Sequence, residues 1–344
     1  MQLITGGCGF VGSALARSYL DDGEDVIIID NLYRIGGEAN LADLEAHPSA
    51  KKHLHFIRAD VAQVDYSCID SEPACVHHLA GQVAMTSSIA DPIYDFNTNA
   101  LATHRLLDYS RRYWPETSFL YASTNKVYGD MLSLRYEESQ WRYHCPDYPD
   151  GFDESLPLDF SSPYGCSKGS ADQYVKDYHK VFGLRTAVFR HSTIYGSGQK
   201  ASFDQGWVGW FISQIIAATR QPGHSFTVSG NGKQVRDILH VSDVVRLYRH
   251  FASNPSLCIG GCFNVGGGKP NSISILELFD ILMDEGWSDY RSMQIKFIDP
   301  RHSDQRVFVS SNKTLVETGW SPSIGYREGI KDMSISIASK VVPL

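Results

Sequence analysis

Short unbroken apolar runs alternate with stretches of helical spacing from the first residue onward. "MQLIT" runs into glycines, "GSALARSYLDDG" follows with helical spacing and stops at Gly23, and "EDVIIID" is again a continuous apolar run. "HLHFIRAD", "ACVHHLAG", "SFLYAS" and "TAVFRHSTIYG" repeat the strand signal, and "NALATHRLLDYSRRYW" the helical one. Strands apolar at every position are those buried on both faces, as in parallel sheets covered by helices. The pattern predicts an α/β fold, a Rossmann-type doubly wound parallel sheet.

Residues 131–150 break the rhythm. "MLSLRYEESQWRYHCPDYPDG" mixes aromatic and charged residues without a period and reads as a long loop insertion, a lid or an oligomer contact. From about residue 197 the composition shifts toward Gly, Gln and Trp. Further on, "SISILELFDILMDEG" has the marks of a helix, with Ser274 and Glu277 as a capping box and Gly286 as its stop. The expected division is a dinucleotide-binding domain over residues 1–190 and a smaller C-terminal substrate-binding lobe over 191–344, interleaved with the first.

A net charge of −8 and the lack of any Lys/Arg run argue against a nucleic-acid partner, which calls for a basic patch. No segment approaches the roughly 18–20 apolar residues of a membrane span. The opening residues lack a charged region followed by an apolar run. Seven cysteines without paired spacing suggest reduced thiols, and Cys258 with Cys262 is too small a set to argue for metal. A cytoplasmic protein without a metal is expected.

"TGGCGFVG" places Gly6, Gly7, Gly9 and Gly12 between a strand and a helix, where backbone amides and the helix dipole receive a pyrophosphate. Asp30 ends the next strand, where a carboxylate accepts ribose hydroxyls and repels a 2′-phosphate, so NAD is favoured over NADP. Arg34 is a nearby cation that a 2′-phosphate could use. "RAD" ends the following strand at Asp60, within reach of an adenine amine.

"SPYGCSKGSADQYVKDYHKVFG" reads as a helix from near Pro163 to Gly183, with Tyr164 and Lys168 four apart on one face. A phenol titrates near 10 in water, and a neighbouring ammonium, with the positive nicotinamide ring, favours the phenolate. This spacing makes Tyr164 a candidate acid–base and Lys168 its partner and a ribose ligand. Thr124, at the end of "SFLYAST", supplies a hydroxyl to orient the proton; Ser123 competes for that role.

These motifs, in the order "TGGCGFVG", "STNKVYG", "SPYGCSK", "QVRDILHVSD", resemble the extended short-chain dehydrogenase/reductases that act on nucleotide-sugars, over nearly the whole chain. "HLAGQVAM", "STNKVYGD", "FRHSTIYG", "DQGWVGWF" and "SGNGKQVRD" are similar to the group within it that inverts C2 of CDP-hexoses, the CDP-paratose 2-epimerases. The resemblance implies a cofactor shell that adds Phe10, Val11, Asn31, Val61, Leu79, Ala80, Gly81 and Asn99. It implies a sugar pocket from Gln82, Met85, Ser87 and Ser88, with Thr124, Asn125, Lys126 and Thr193. It implies that Arg236 and Arg301 hold the nucleotide diphosphate, as guanidinium groups suit phosphate. Thr193 stands where sugar 4-epimerases carry Asn, and Asp243 reads as a helix-orienting residue. Trp207 and Trp210 suit either a stacked base or the core.

In the related 4,6-dehydratases an Asp-Glu pair follows the hydroxyl of the Thr124 position. Asn125 cannot donate a proton as an acid does, and Lys126 is no ready substitute for a glutamate base, so elimination is disfavoured. Oxidation and reduction at one carbon remain. The expected activity is NAD-dependent epimerisation at C2 of a CDP-hexose (CDP-paratose to CDP-tyvelose, or CDP-glucose) by a homodimer or homotetramer. The alternatives are 4-epimerisation or reduction of another nucleotide-sugar, and a non-catalytic dinucleotide sensor.

Overall fold

The first apolar runs become strands that water does not reach. Gln2–Thr5 and Cys75–His78 are buried at every position, and Val26–Asp30 at all but the last. In the computed structural model, which describes residues 1–221, 223–301 and 304–340, these strands form the middle of a sheet. Its order is Ile259–Val265, Arg185–His191, Ser118–Thr124, Cys75–His78, Gln2–Thr5, Val26–Asp30, Leu54–Arg58. Every pairing in it is parallel. One apolar cluster, including Leu15, Ile28, Phe189 and Tyr248, covers one face; another, including Leu3, Leu106, Tyr121 and Val175, covers the other. The strand order reverses between Gln2–Thr5 and Cys75–His78, and ligands bind at such a switch point, beyond the strands' C-terminal ends.

Helix boundaries follow the expected signals. Helix Ser162–Phe182 has Pro163 in its first turn and ends at Gly183, left-handed with φ 73°, whose N–H returns to His179 O. The Ser274–Glu277 capping box is present in full at the start of helix Ile275–Asp284. Before helix Ala102–Tyr113 the chain makes a π turn, Asn97–Leu101, which carries buried Thr98 and Asn99. Asp243 accepts hydrogen bonds from Ser323 N and Ile324 N and ties the C-terminal segment to helix Val241–Ser253.

After Arg185–His191 the chain leaves the sheet. Thr193–Tyr195 pairs with Val235–His240, which also pairs with Ser272–Ser274 and Val307–Phe308, and Ser225–Ser229 pairs with Gln294–Ile298. Strand Ile259–Val265 returns to the main sheet, so the two lobes exchange segments. Residues 131–150 are less formless than their composition suggests. They hold a two-residue ladder, Glu137–Glu138 with Tyr143–His144. Arg142 chelates Glu277 at 2.7 and 2.6 Å and donates to Ser272 O. Leu134, Tyr136, Tyr143 and Tyr148 pack on the cluster of Val127, Tyr128, Phe152 and Phe308. The segment straps the lobes together, and none of it lines the central cavity. Among the described residues no helix is long and apolar enough to cross a membrane.

Candidate active site

A cavity of about 800 Å3 opens at the switch point. Its walls include Gly6, Gly9, Phe10, Val11, Gly12, Asp30, Asn31, Asp60, Val61, Leu79, Ala80 and Gly81. Helix Phe10–Asp21 starts here, with Gly9 as its N-cap and no side chain on its first amides. Those donors remain available to an anion. Gly12 shows how closely the turn is folded: a Cβ there would meet Gly6 O and stand 2.7 Å from Gly7 Cα. Asp30 accepts from Cys8 N at 2.9 Å and Leu32 N at 2.8 Å, fixing the carboxylate at the cavity edge. Burial pushes its pKa up against the pull of these two bonds. Asn31 Nδ2 donates to Asp60 Oδ2 at 2.9 Å, linking the ends of two adjacent strands. A glycine cradle without room for a Cβ, free helix amides and a fixed carboxylate fit the pyrophosphate and ribose of a dinucleotide.

The hydroxyl, phenol and ammonium expected to react lie on the same cavity. Thr124, Tyr164 and Lys168 all reach its wall, and Tyr164 and Thr124 share a side-chain hydrogen bond. Lys168 Nζ donates to Ala122 O and sits 4.3 Å from the centre of the Tyr121 ring. Ser123 and Thr124 are now separated. Both line the cavity, but Ser123 Oγ is committed to Asp172 Oδ2 at 2.8 Å, whereas the Thr124 hydroxyl bonds Tyr164. Without the nicotinamide charge that the expectation also invoked, burial dominates both groups. Burial drives the Tyr164 phenol up to about 12; the Thr124 bond pulls it down and Asp95 adds to the rise. Burial likewise draws the Lys168 ammonium down to about 7, with Asp172 and Asp95 opposing. Desolvation outweighs the help expected from lysine to phenol, because both groups are taken out of water together.

The structure reassigns several expected sugar and cofactor contacts. Gln82 borders the cavity, but its amide donates to Ala84 O and to Asp95 Oδ1 at 2.8 and 2.9 Å, so it braces its own loop. Ser87 lines the wall, while Met85 and Ser88 do not, and Ser88 Oγ donates to Met85 O at 2.7 Å. Asn99 lies behind the wall: it accepts from Gln82 N and donates to Gln82 O, Asp95 and Ser167. Asn125 faces the cavity with its amide tied to Gln305 Oε1 at 3.0 Å. Thr193 lines it and accepts from Trp207 Nε1 at 3.2 Å. Trp207 reaches the wall; Trp210 packs in the lobe's core.

Of the cations, Lys126 reaches the cavity, whereas Arg236 and Arg301 stop short of it. Arg236 pairs with Asp304 at 2.7 Å, and Lys126 Nζ stands 3.8 Å from the same carboxylate. Arg301 stacks on Phe203 with its guanidinium 4.4 Å from the ring centre. Burial draws the Lys126 ammonium down to about 8, Asp304 opposes that, and the Arg236 and Arg301 charges add to it. The three cations therefore share one electrostatic neighbourhood. Sequence reasoning missed Asp95 and Asp172, the buried acids around the lysine, and also His191 and Tyr248, which stack at the cavity wall. Asp95 stands four residues before Asn99 and Asp172 four after Lys168; helical spacing was the signal that could have found them.

Among known proteins, the family model described as GDP-mannose 4,6 dehydratase matches residues 3–333. The CDP-paratose 2-epimerase of Salmonella typhi is 46% identical over 337 residues, covering 96% of this chain and 97% of that protein. The structure of a Thermus thermophilus UDP-glucose 4-epimerase in complex with NAD superposes with a TM-score of 0.79 at 26% identity, over 99% of this chain and 100% of the other. The Thermotoga maritima UDP-glucose 4-epimerase with UDP-glucose gives 0.79 at 25% identity, over 99% of each. The likeness runs over nearly the whole length, and the chain therefore belongs to the GDP-mannose 4,6 dehydratase family of nucleotide-sugar epimerases and dehydratases.

Proposed function

We propose that the protein inverts C2 of a CDP-hexose, converting CDP-paratose to CDP-tyvelose or acting on a related sugar such as CDP-glucose. The observation that carries this reading is the pair that follows Thr124. Where elimination would need an acid and a base, the cavity presents an amide already bonded to Gln305 and a lysine. The amide supplies no acid, so even with its lowered pKa the lysine does not complete the acid–base pair that elimination needs. Thr124, Tyr164 and Lys168 are nonetheless complete, which leaves oxidation and re-reduction at a single carbon. The 46% identity to a CDP-paratose 2-epimerase supports C2 and the cytosine nucleotide.

Held by the glycine turn and Asp30, NAD would supply the hydride acceptor and donor that the sugar carbon needs. Tyr164 receives the proton of the sugar hydroxyl and later returns it, with Thr124 holding the hydroxyl in line. Lys168 holds positive charge beside the phenolate as it forms, which offsets the cost of burying it. Lys126 is the cation the cavity wall offers to a substrate diphosphate, and the nearby Arg236 and Arg301 add positive potential there while disfavouring the lysine's own charge. Inversion requires the oxidised sugar to turn while its nucleotide stays anchored, which a site gripping the diphosphate allows. The expected setting is a cytoplasmic dimer or tetramer that supplies sugars for polysaccharide assembly.

Proton NMR in D2O with CDP-paratose and CDP-glucose, given separately, tests the reading. Inversion at C2 without deuterium at that carbon supports internal hydride return. Deuterium at C2 would mean proton abstraction and refute the role of NAD. No change with either sugar, but turnover of a UDP-sugar, would make it a 4-epimerase.

A further inference from the structure

Asp95 is fully buried in the short helix Pro92–Phe96, and every partner that bonds it is neutral. Its Oδ1 accepts from Gln82 Nε2 at 2.9 Å and Asn99 Nδ2 at 3.1 Å, and its Oδ2 accepts from Ser167 Oγ at 2.5 Å. The three donors come from three segments: the loop after Cys75–His78, the π turn, and the catalytic helix between Tyr164 and Lys168. Burial pushes the Asp95 carboxyl up, and the Ser167 and Gln82 bonds, with the Lys168 charge, pull it back toward the ionised form. Lys168 is the cation that acts on it. The ammonium lies on the same wall as the Asn99 amide: a Cβ on Gly81 would stand 2.8 Å from Asn99 Oδ1 and 3.8 Å from Lys168 Nζ.

The second acid near the lysine is already balanced. Asp172 takes Arg190 Nε and Nη2 at 2.9 Å each, with both side chains buried. The other groups facing Lys168 carry no spare negative charge. Tyr164 on its own helix is protonated, and so is Tyr121 on strand Ser118–Thr124, both held so by burial. His78 and His191, on the strands to either side, are neutral, drawn down to about 3 by burial and then by Lys168 itself. We propose that Asp95 is the counter-charge of Lys168 and that, through Ser167, it fixes the helical turn carrying Tyr164 and Lys168. It is a positioning residue, and the proposal rests on the reading of that pair as the reacting groups.

A double-mutant cycle of D95N and K168M, with saturating NAD in every sample, tests the charge pair without any substrate. Its failure is therefore distinguishable from failure of the proposed reaction. At pH 6.5 the double variant should melt about 2 °C above the sum of the single effects, since the pair's attraction is lost only once. At pH 9 Lys168 is neutral, and the surplus should vanish. A surplus that is absent at pH 6.5, or equal at both pH values, would overturn the proposal, the latter by showing packing instead of charge. S167A keeps both charges but frees the turn that carries Lys168, so it should change the K168M increment at pH 6.5; an unchanged increment would count against the role given to Ser167. This second cycle remains readable if D95N does not fold. In turnover of whichever sugar is accepted, D95N should move the pH–rate profile to lower pH, because removing the negative charge lowers the pKa of both Tyr164 and Lys168. D95E should return it, and a D95N profile that stays in place would contradict the assignment.

Discussion

Replacing Lys168 by Met should make the protein more stable at neutral pH while removing its activity. The ammonium is almost fully buried, and burial lowers its pKa from 10.5 to about 7. At about 1.36 kcal/mol per pH unit, that difference means the folded state carries a penalty of up to about 5 kcal/mol whenever the lysine is charged in both states. The sign follows from proton counts. Below pH 7 the folded and unfolded chains both hold the proton and the penalty is complete. Between pH 7 and 10.5 the unfolded chain holds more protons, so stability rises with pH, and above 10.5 the penalty is gone. Methionine removes it but leaves Ala122 O without its donor, which costs about 1–2 kcal/mol. The net gain expected at pH 6.5 is about 3 kcal/mol. For a chain of 344 residues the unfolding entropy is about 0.7 kcal/mol per degree, so the melting temperature should rise by about 4 °C. At pH 9 roughly 2 kcal/mol of penalty is left, and the two proteins should nearly coincide. Paired thermal melts at the two pH values read this directly. A K168M protein less stable than wild type at pH 6.5, or a difference that does not shrink with pH, would refute the reasoning.

Three further outcomes are expected. Asp172→Ala strands the buried Arg190 guanidinium, which should cost about 3–5 kcal/mol and lower the melting temperature by about 4–7 °C; the D172L/R190M double should recover most of that. Gly12→Ala pushes a Cβ into the backbone of Gly6 and Gly7, so the protein should emerge from gel filtration with little NAD while wild type retains it, as read by extraction and absorbance. Leu101, Tyr113, Tyr174, Val181 and Phe182 leave apolar surface exposed on and beside the two helices Ala102–Tyr113 and Ser162–Phe182, and a second copy is expected to cover it. Light scattering should show a dimer or larger, and F182E together with V181E should yield a smaller species.

The sequence alone determined the architecture and the placing of Tyr164 and Lys168 on one helical face. Unbroken apolar runs such as "VIIID" suit only strands covered on both faces. A glycine turn between strand and helix has one backbone geometry, and a Tyr-x-x-x-Lys spacing puts both groups on one helical face. These are local properties, written within a few residues of each other. What the tertiary structure decided was which polar groups still face the cavity once the others have found partners. Gln82 and Asn99 are taken up by Asp95, Ser123 by Asp172 and Asn125 by Gln305, over separations of 13, 4, 49 and 180 residues. It also decided the protonation of the reacting pair, since the water lost around Tyr164 and Lys168 depends on what packs against them. The Asp95–Asn99 bond is local, but partners such as Asp172 for Ser123 and Gln305 for Asn125, and the desolvation of the pair, are set by distant segments brought together.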